Sequence, residues 1–283
     1  MKRLILALAL LLPAAAAWGQ GLQANASVEV DYKITKGLHI SAGQEIRSND
    51  GLTALGSMRT ALGISYKPFK FLKVALGGYL INPFKTGKEI TYLDTDGVTE
   101  LTTSYTGFWA PKYRAYFDVG GYYRLGDFQF SLKERLQLTH NSDANMNEYQ
   151  SVRNALALKS RLGVKYKGIR WMEPFLAFEM RTALNEPWGT VSGSAQTTKN
   201  TKREYYAYTP AGYTHVYNNR YRIALEVSFA LSRHHSLTPY FQVDFNNEYV
   251  IDTNKAGTRL YSDGTYYDNS VGPCMGLAYT FSF

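Results

Sequence analysis

Charged residues occupy alternate positions in many segments of the chain, and the positions between them are mostly apolar. Around Arg59, for example, Met58, Leu62 and Ile64 share one parity while Arg59 and Lys67 share the other. Because successive side chains of a β-strand point to opposite faces, this pattern predicts strands with one apolar and one charged face. This rule assigns Glu29, Asp31 and Glu45 to the charged faces. It also assigns to them Arg59, Arg114, Asp118, Arg135, Lys159, Arg161, Glu179, Arg181, Arg222, Glu226 and Asp244.

Two kinds of chemistry are open to such a set of charges. In one, carboxylates and guanidinium groups of neighbouring strands form salt-bridged ladders, which Arg favours because its planar fork binds a carboxylate through two hydrogen bonds. In the other, the excess of Arg and Lys attracts small anions into a water-filled passage. The alternation of charges is compatible with both interpretations.

The segments that position these charges follow one another as hairpins. Short turns such as Thr35-Lys36-Gly37 and Leu125-Gly126-Asp127 alternate with long polar loops, among them 82–112 and 185–219. This asymmetry is typical of outer-membrane barrels, whose short turns lie in the periplasm and whose long loops lie outside the cell. A soluble β-sandwich is the main competing fold, but it does not need a long apolar face on every strand. We therefore predict an all-β fold, a transmembrane antiparallel up-and-down β-barrel.

The number of strands is expected to be ten to twelve. Eleven segments have the alternation of a strand, whereas a bacterial single-chain barrel has an even number and both termini in the periplasm. Either residues 20–27 form a further strand, which gives twelve, or the first hairpin lies only partly in the wall, which gives ten; we favour twelve. Within the long loops, 89–93 is predicted to pair with 99–103, and 205–208 with 213–217.

The carboxyl-terminal segment 276–283 has the same period of two and ends on an aromatic residue. It resembles the closing strand of bacterial outer-membrane barrels, whose terminal Phe belongs to the signal that the barrel-assembly machinery recognises. The resemblance implies an assembly signal formed by Leu277, Tyr279, Phe281 and Phe283.

The amino-terminal segment 1–19 has the three parts of a secretory signal peptide: Lys2 and Arg3, the apolar stretch 4–12, and small residues ending at Gly19. The apolar stretch is too short for a membrane-spanning helix, which needs about 20 residues. We predict cleavage after Gly19, with Ala17 as the alternative, so that 20–283 forms the barrel.

The distribution of charge argues against a nucleic-acid-binding protein, and the single cysteine excludes an intramolecular disulfide. The formal charge is +8, and removal of Lys2 and Arg3 leaves +6. The basic residues are spread singly along predicted strands, which argues against nucleic acid as a partner and fits an anionic membrane surface better. Cys274 has no second cysteine with which to form an intramolecular disulfide.

A succession of short segments resembles a known family over nearly the whole mature chain. The segments are Arg114-Ala-Tyr-Phe-Asp118, Ser131-Leu-Lys-Glu-Arg135, Val152-Arg153-Asn154, Glu173-Pro174 followed by Glu179, Asn219-Arg220-Tyr-Arg222 followed by Glu226, and the final Gly-Leu-Ala-Tyr, with Arg47 ending the second strand. In this order they resemble the Bacteroidota outer-membrane barrels of the domain-of-unknown-function 2490 family. The resemblance implies an integral outer-membrane barrel and brings no catalytic residues with it.

Candidate enzymatic residues are few. His140-Asn141-Ser142 superficially resembles the His-x-Ser of outer-membrane lipid A deacylases, in which a base beside a hydroxyl group activates a nucleophile. No third, orienting acid is identifiable for it. His234-His235 lies in a predicted turn, where solvated polar residues are the default. We therefore expect no catalytic residues, no metal site and no cofactor, with a lipase or deacylase as a remote alternative.

Glu134 breaks the alternation, because Phe130 and Leu132 turn its side chain toward the apolar face. A β-bulge or a position near the membrane rim would explain a carboxylate at this position.

From these patterns we expect a porin-like protein in the outer membrane of a Gram-negative bacterium, which passes or binds small anionic solutes in transport through a charge-lined lumen. The alternative is a structural barrel whose interior is plugged by ion pairs and whose loops bind a surface protein or glycan. Exposed tyrosines of one outer loop are candidates for that contact: Tyr205, Tyr206, Tyr208, Tyr213 and Tyr217. In either case the expected partners include outer-membrane lipids and, during insertion, the assembly machinery.

Overall fold

The computed structural model describes residues 21–85, 88–93, 100–105, 107–143, 146–197, 204–254 and 256–283. The predicted signal peptide lies outside the described residues. The strands in chain order are β1 (Gln23–Thr35), β2 (Leu38–Ser48), β3 (Leu55–Phe69), β4 (Leu72–Lys85), β5 (Lys88–Leu93), β6 (Glu100–Tyr105), β7 (Phe108–Trp109), β8 (Lys112–Leu125), β9 (Phe128–Asn141), β10 (Asn154–Tyr166), β11 (Met172–Thr197), β12 (Glu204–Ala230), β13 (His235–Thr253) and β14 (Arg259–Ser282). A single 3-10 turn, Asp50–Leu52, separates β2 from β3.

These strands form a closed β-barrel of the outer-membrane type, which confirms the predicted fold class. Each wall strand pairs with the next, from β1 through β4 and β8 to β14, and β14 returns to β1. Among the described residues the wall thus has eleven strands, and β7 brings the sheet to twelve by pairing with β4. The twelfth strand is therefore not an extra segment at 20–27, since Gln23 to Ser27 belong to β1.

The seam between β1 and β14 is parallel, whereas every other pairing in the wall is antiparallel. Gln23 pairs with Cys274 and Asp31 pairs with Ser282. An odd number of wall strands requires this arrangement, because the first and last strands then run in the same direction. Gln23 consequently lies at the end of the long loops, and the expectation that both ends of the barrel chain lie on the turn side is wrong.

The wall has its apolar face outside and its polar face inside. Along β9, Phe130, Leu132, Leu136 and Leu138 are exposed, while Gln137 between them is buried. Ring pairs lie near both ends of the wall, with Phe128 and Tyr166 at 5.2 Å near the turns and Tyr113 and His140 at 6.5 Å near the loops. An outward apolar band between two aromatic levels is the arrangement by which a barrel contacts lipid. In the described part of the chain, no helix is long and apolar enough to cross a membrane.

The outer ends of the strands form long hairpins that pack against one another. Residues 205–208 and 213–217 both belong to β12, which pairs with β11, so the predicted hairpin between them is wrong. The other predicted hairpin is present as β5 and β6. The tip of the β13–β14 hairpin contacts the loop between β9 and β10, where the Asn147 side-chain amide donates to Thr253 Oγ1 at 3.2 Å.

The carboxyl-terminal aromatic residues lie at the turn end of the seam. The rings of Phe281 and Phe283 are 4.3 Å apart, and Phe283 also meets Tyr32 of β1 at 6.0 Å. Leu277 and Tyr279 pack against the buried Phe229 and Leu237. The residues predicted as an assembly signal therefore share one end of the closing strand, and their role in assembly stays a prediction.

Candidate functional site in the barrel lumen

The charged residues predicted from alternation lie on lumen-facing positions of the wall strands. They come from β3 (Arg59), β8 (Arg114 and Asp118), β9 (Arg135), β10 (Lys159 and Arg161), β11 (Glu179 and Arg181), β12 (Arg222 and Glu226) and β13 (Asp244). Asp118 and Glu179 face the lumen but are buried, because neighbouring side chains cover them. The strands thus bring charges that are far apart in sequence into one interior.

Two bidentate ion pairs anchor the interior. Arg135 donates through Nε to Asp118 Oδ1 at 2.6 Å and through Nη2 to Asp118 Oδ2 at 2.7 Å. Arg222 contacts Asp244 in the same way, at 2.5 and 2.7 Å. In both pairs the partners are directly opposed on adjacent strands, which is why the guanidinium fork and the carboxylate meet in a plane.

Glu179 lies at the centre of a second group of contacts. Lys159 approaches it at 3.2 Å and Arg220 donates to it at 2.9 Å. Arg161 of β10 reaches past β11 to form a salt bridge with Glu226 of β12. These contacts form part of the ladder that the structural interpretation requires.

One cavity of the lumen, of about 200 Å³, has a lining that comes from opposite walls. Glu45 of β2 and Arg59 of β3 face it from one side, and Arg161, Glu179 and Arg222 face it from the other. Only two carboxylates line the cavity, Glu45 and Glu179, against eight cationic side chains: Arg47, Arg59, Arg114, Lys133, Arg135, Lys159, Arg161 and Arg222. We refer to this cavity as the cationic constriction.

Two of these cations lack a carboxylate partner. Among the described residues, Arg114 and Lys133 form no salt bridge, and Arg114 Nε donates to the neutral Thr139 hydroxyl at 2.8 Å. Arg181, which lies outside the lining of this cavity, forms no salt bridge with the described residues either. Ion pairing therefore neutralises only part of the positive charge. An anion that entered the cationic constriction would meet guanidinium and ammonium groups that the protein itself leaves uncompensated.

A larger cavity of about 290 Å³ lies on the turn side of the cationic constriction. Its lining is of mixed charge and includes Glu29, Asp31 and Asp118 together with Lys73 and Lys133. Tyr79, Lys133 and Arg135 line both cavities, and the Arg135 guanidinium lies 4.0 Å from the centre of the Tyr116 ring. The interior is thus divided into small chambers by side chains.

The lumen residues that are absent from the set predicted by alternation include Arg47, Lys133, Arg220 and Tyr116. Lys133 has the parity of Arg135, and Arg220 has the parity of Arg222, so the same rule predicts both. Arg47 has the parity of Glu45 but lies at a strand end, where the pattern fades. Tyr116 was not predicted because an aromatic residue on the lumen face looks like an interruption of the polar pattern.

The candidate enzymatic residues do not form a pair. His140 Nδ1 lies 2.8 Å from Asn154 Oδ1, and the Ser142 hydroxyl donates to the Pro111 carbonyl oxygen. In the second histidine pair, His234 Nδ1 meets the Ser282 carbonyl oxygen at 2.7 Å, and His235 meets the Tyr279 hydroxyl. No cluster of three potential metal ligands occurs in the part of the chain that the structure describes.

The tyrosines of the outer loop have different surroundings. Tyr208 is buried against Ile251 and Leu260, so it stabilises the hairpins from within. Tyr213 is exposed, and its hydroxyl donates to the Glu148 carbonyl oxygen at 3.2 Å. Tyr217 belongs to a group of rings with Trp188, His215, Tyr249 and Tyr267. The five predicted tyrosines therefore do not form one exposed surface.

Comparisons with known proteins provide only distant similarities. Outer-membrane expressed OmpT of Vibrio cholerae is 13% identical, with a TM-score of 0.32, and the match covers 86% of this chain and 64% of that one. The in-vitro folded form of this outer membrane protein gives 14% identity and the same TM-score, with 88% and 62% covered. The chain thus spans less than two thirds of the length of the OmpT chains it matches. No protein-family model and no curated protein matches the sequence. The assignment of the barrel fold rests on the strand pairing and on the outward apolar face.

Proposed function

We propose that the protein is an integral outer-membrane barrel that binds small anions in its lumen and lets them pass through the cationic constriction. The observation that supports this proposal is the composition of that cavity, where eight cationic side chains face only two carboxylates. Walls of low polarizability around such a group strengthen its field, so the local concentration of anions rises above that in solution.

The dimensions of the chambers limit the solute. At about 200 Å³ the cationic constriction is smaller than the roughly 300 to 1,000 Å³ of sites for drug-sized ligands. Inorganic phosphate, sulfate, chloride and small carboxylates fit this size and charge, and oligosaccharides do not. Arg side chains suit phosphate and carboxylate because their forks bind two oxygens at once.

Conductance measurements test the proposal. Purified protein in planar bilayers, with a KCl gradient across the membrane, should show discrete conductance steps and a reversal potential that indicates anion preference. Exchange of both Arg114→Gln and Lys133→Gln removes two cations without breaking a salt bridge, and it should lower the anion preference several-fold. A matched control, Lys36→Gln with Lys70→Gln, removes the same charge from exposed turns and should leave selectivity unchanged.

A barrel that conducts nothing, or one that conducts without anion preference, would contradict this function. Absence of any conductance would favour the second candidate, a structural barrel with an interior plugged by ion pairs and with partner-binding loops. The bidentate Arg135–Asp118 and Arg222–Asp244 pairs favour that candidate, because they fix charged side chains on the lumen face of the wall, where these side chains occupy part of the interior. Recovery of a stable stoichiometric complex with a surface protein or glycan would support it.

The cellular setting belongs to the same proposal. The signal-like segment 1–19, the outward apolar band and the aromatic carboxyl terminus support a location in the outer membrane of a Gram-negative bacterium, after insertion by the assembly machinery. The resemblance to the domain-of-unknown-function 2490 family agrees with this location. His140 and Ser142 have other hydrogen-bond partners, which argues against these two residues as a catalytic pair.

A further inference from the structure

The cavity of about 290 Å³ on the turn side of the lumen, named here the turn-side cavity, differs in charge from the cationic constriction. Its lining holds three carboxylates and three cations, namely Glu29, Asp31 and Asp118 with Lys73, Lys133 and Arg135. These formal charges cancel, whereas eight cations face two carboxylates in the cationic constriction. The total charge of the turn-side cavity therefore attracts neither anions nor cations, and only the arrangement of its charges can select a ligand.

One pair of these charges is neutralised within the wall. Arg135 binds both oxygens of Asp118, at 2.6 and 2.7 Å. Two carboxylates and two ammonium groups remain, and among the described residues none of the four forms a salt bridge with a Lys, Arg, Asp or Glu side chain: Glu29, Asp31, Lys73 and Lys133.

The remaining charges are separated by sign around the wall. The two carboxylates lie on β1, whereas Lys73 lies on β4 and Lys133 on β9. The strands β2 and β3 lie between β1 and β4, and three inter-strand spacings of about 4.8 Å separate β1 from β4 along the wall. These two strands line the cavity with small or uncharged residues, which include Ser41, Gly63 and Ser65. The cavity thus has a negative edge on β1 and a positive edge near β8.

The positive edge is built around Gly120 of β8. Lys73 pairs with Gly120 in the register of β4 with β8, and Gly120 pairs with Lys133 in the register of β8 with β9. The Tyr122 hydroxyl lies 3.3 Å from the position that a Cβ at Gly120 would take, and it forms no hydrogen bond with the described residues. Two ammonium groups and one hydroxyl therefore surround a position without a side chain, and all three can donate to a carboxylate.

The negative edge consists of Glu29 and Asp31, which are two residues apart on the inner face of β1. Asp31 Oδ1 lies 2.7 Å from His39 Nδ1, and Glu29 interacts with the Ser41 hydroxyl. Each carboxylate has about four acceptor positions, so most of them are free. The two like charges also act on each other. An ammonium group between them would supply three donors and offset their repulsion.

We propose that the turn-side cavity binds a small zwitterion of the α-amino acid class. The ammonium group of the ligand lies against Glu29 and Asp31, and its carboxylate lies among Lys73, Lys133 and the Tyr122 hydroxyl. A molecule with both charges matches a cavity whose signs are separated and whose sum is zero. The volume of about 290 Å³ is below the roughly 300 to 1,000 Å³ of sites for drug-sized ligands, which suits a free amino acid. This site does not depend on whether anions pass through the cationic constriction.

Titration calorimetry with L-alanine tests the site. The full mature chain is studied in a non-ionic detergent, because a zwitterionic detergent would compete. We expect one L-alanine per barrel with a dissociation constant of about 1 mM or below. Propionate lacks the ammonium group and ethylammonium lacks the carboxylate. Each should bind about tenfold or more weakly, since it leaves one edge of the cavity unpaired.

Variants remove the edges one at a time. Glu29→Gln and Lys73→Gln should each weaken L-alanine binding on the order of tenfold, because each removes a charge-assisted contact. The double variant restores zero net charge without the separated signs and should bind no better than either single variant. The matched controls Glu148→Gln in the outer loop and Lys70→Gln in an exposed turn should bind like wild type. Heat-modifiable migration on gels checks that every variant folds.

Any of three results refutes the site. They are no saturable binding of L-alanine, equal affinities for L-alanine and propionate in wild type, and wild-type affinity in both single variants or in the double variant. Glu29 and Lys73 lie outside the lining of the cationic constriction. Anion conductance without L-alanine binding therefore contradicts only this site, and L-alanine binding by a barrel that conducts nothing contradicts only the proposed passage of anions.

Discussion

At the scale of single residues, the interior is stabilised by charge pairs whose desolvation is offset only when both partners are present. The Arg135 and Asp118 side chains are 17% and 11% exposed, so water contributes little to their solvation. The Arg135 guanidinium also lies over the Tyr116 ring, which adds a cation–π contact. Removal of one partner leaves a charge that is neither hydrated nor paired.

We expect Asp118→Ala to lower the free energy of unfolding by about 3 to 5 kcal/mol, because Arg135 then remains unpaired among other cations. Equilibrium unfolding in urea, with the barrel in detergent micelles, measures this change. The control is Glu148→Ala in the outer loop, where the pair with Arg153 is 51% and 37% exposed, and there the loss should stay under about 1 kcal/mol. Equal losses in the two variants would show that burial does not determine the strength of these pairs.

At the scale of elements, the outer hairpins are stabilised by a group of stacked rings. His215 of β12 contacts both Trp188 of β11 at 4.8 Å and Tyr249 of β13 at 4.6 Å, and these two rings are 5.7 Å from each other. Its Nε2 is 3.2 Å from the Tyr267 hydroxyl of β14. One imidazole thus connects four strands above the membrane, and its burial lowers the pKa of His215 below its ordinary value of 6.5.

A lowered pKa in the folded state means that protonation favours opening of the ring group. The stabilisation by neutral His215 is therefore complete above about pH 6.5 and decreases as the pH falls from 6.5 toward the lower folded-state value. The fluorescence of Trp188, measured as the difference between wild type and Trp188→Phe, should change over this pH range. The His215→Phe exchange keeps a ring that cannot titrate. In that background, the change in fluorescence on adding Trp188→Phe should be independent of pH. A pH response equal to that in the wild-type background would assign the effect to another group.

At the scale of the whole molecule, the parallel seam determines where the two ends of the barrel lie. Because Gln23 starts β1 beside Cys274 and Ser282 ends β14 beside Asp31, the amino end emerges with the loops and the carboxyl end with the turns. The two ends of the barrel chain therefore lie at opposite ends of the barrel, whereas both lie at the same end in a barrel with an even number of strands.

Labelling from one side of the membrane tests the seam. In a Cys274→Ser background, which removes the native cysteine, a membrane-impermeant maleimide added to intact cells should label Gln23→Cys as it labels Thr209→Cys in the outer hairpin. It should not label Lys36→Cys in the first turn until the envelope is opened. Labelling of Gln23→Cys only after opening would place the amino end with the turns and would exclude the parallel seam.

The sequence by itself determined the features that depend on local alternation. The two-residue period defines a strand and its faces, so the barrel class and the lumen positions of Arg59, Arg135 and Arg222 could be predicted from parity alone. The alternation of short turns with long loops likewise indicated which end of each strand lies on the turn side of the barrel and which lies on the loop side. These properties depend only on neighbours along the chain.

Only the tertiary structure decided the features that depend on pairing between distant segments. The parallel seam follows from which strand closes on which, and the continuation of β12 through 205–217 follows from its long pairing with β11. The outward position of Glu134 could be predicted from parity, but its Ser160 partner could not, because register across strands has no local signature. The physical reason is that hydrogen-bonded neighbours in a barrel wall are chosen by closure of the whole sheet, which no single segment encodes.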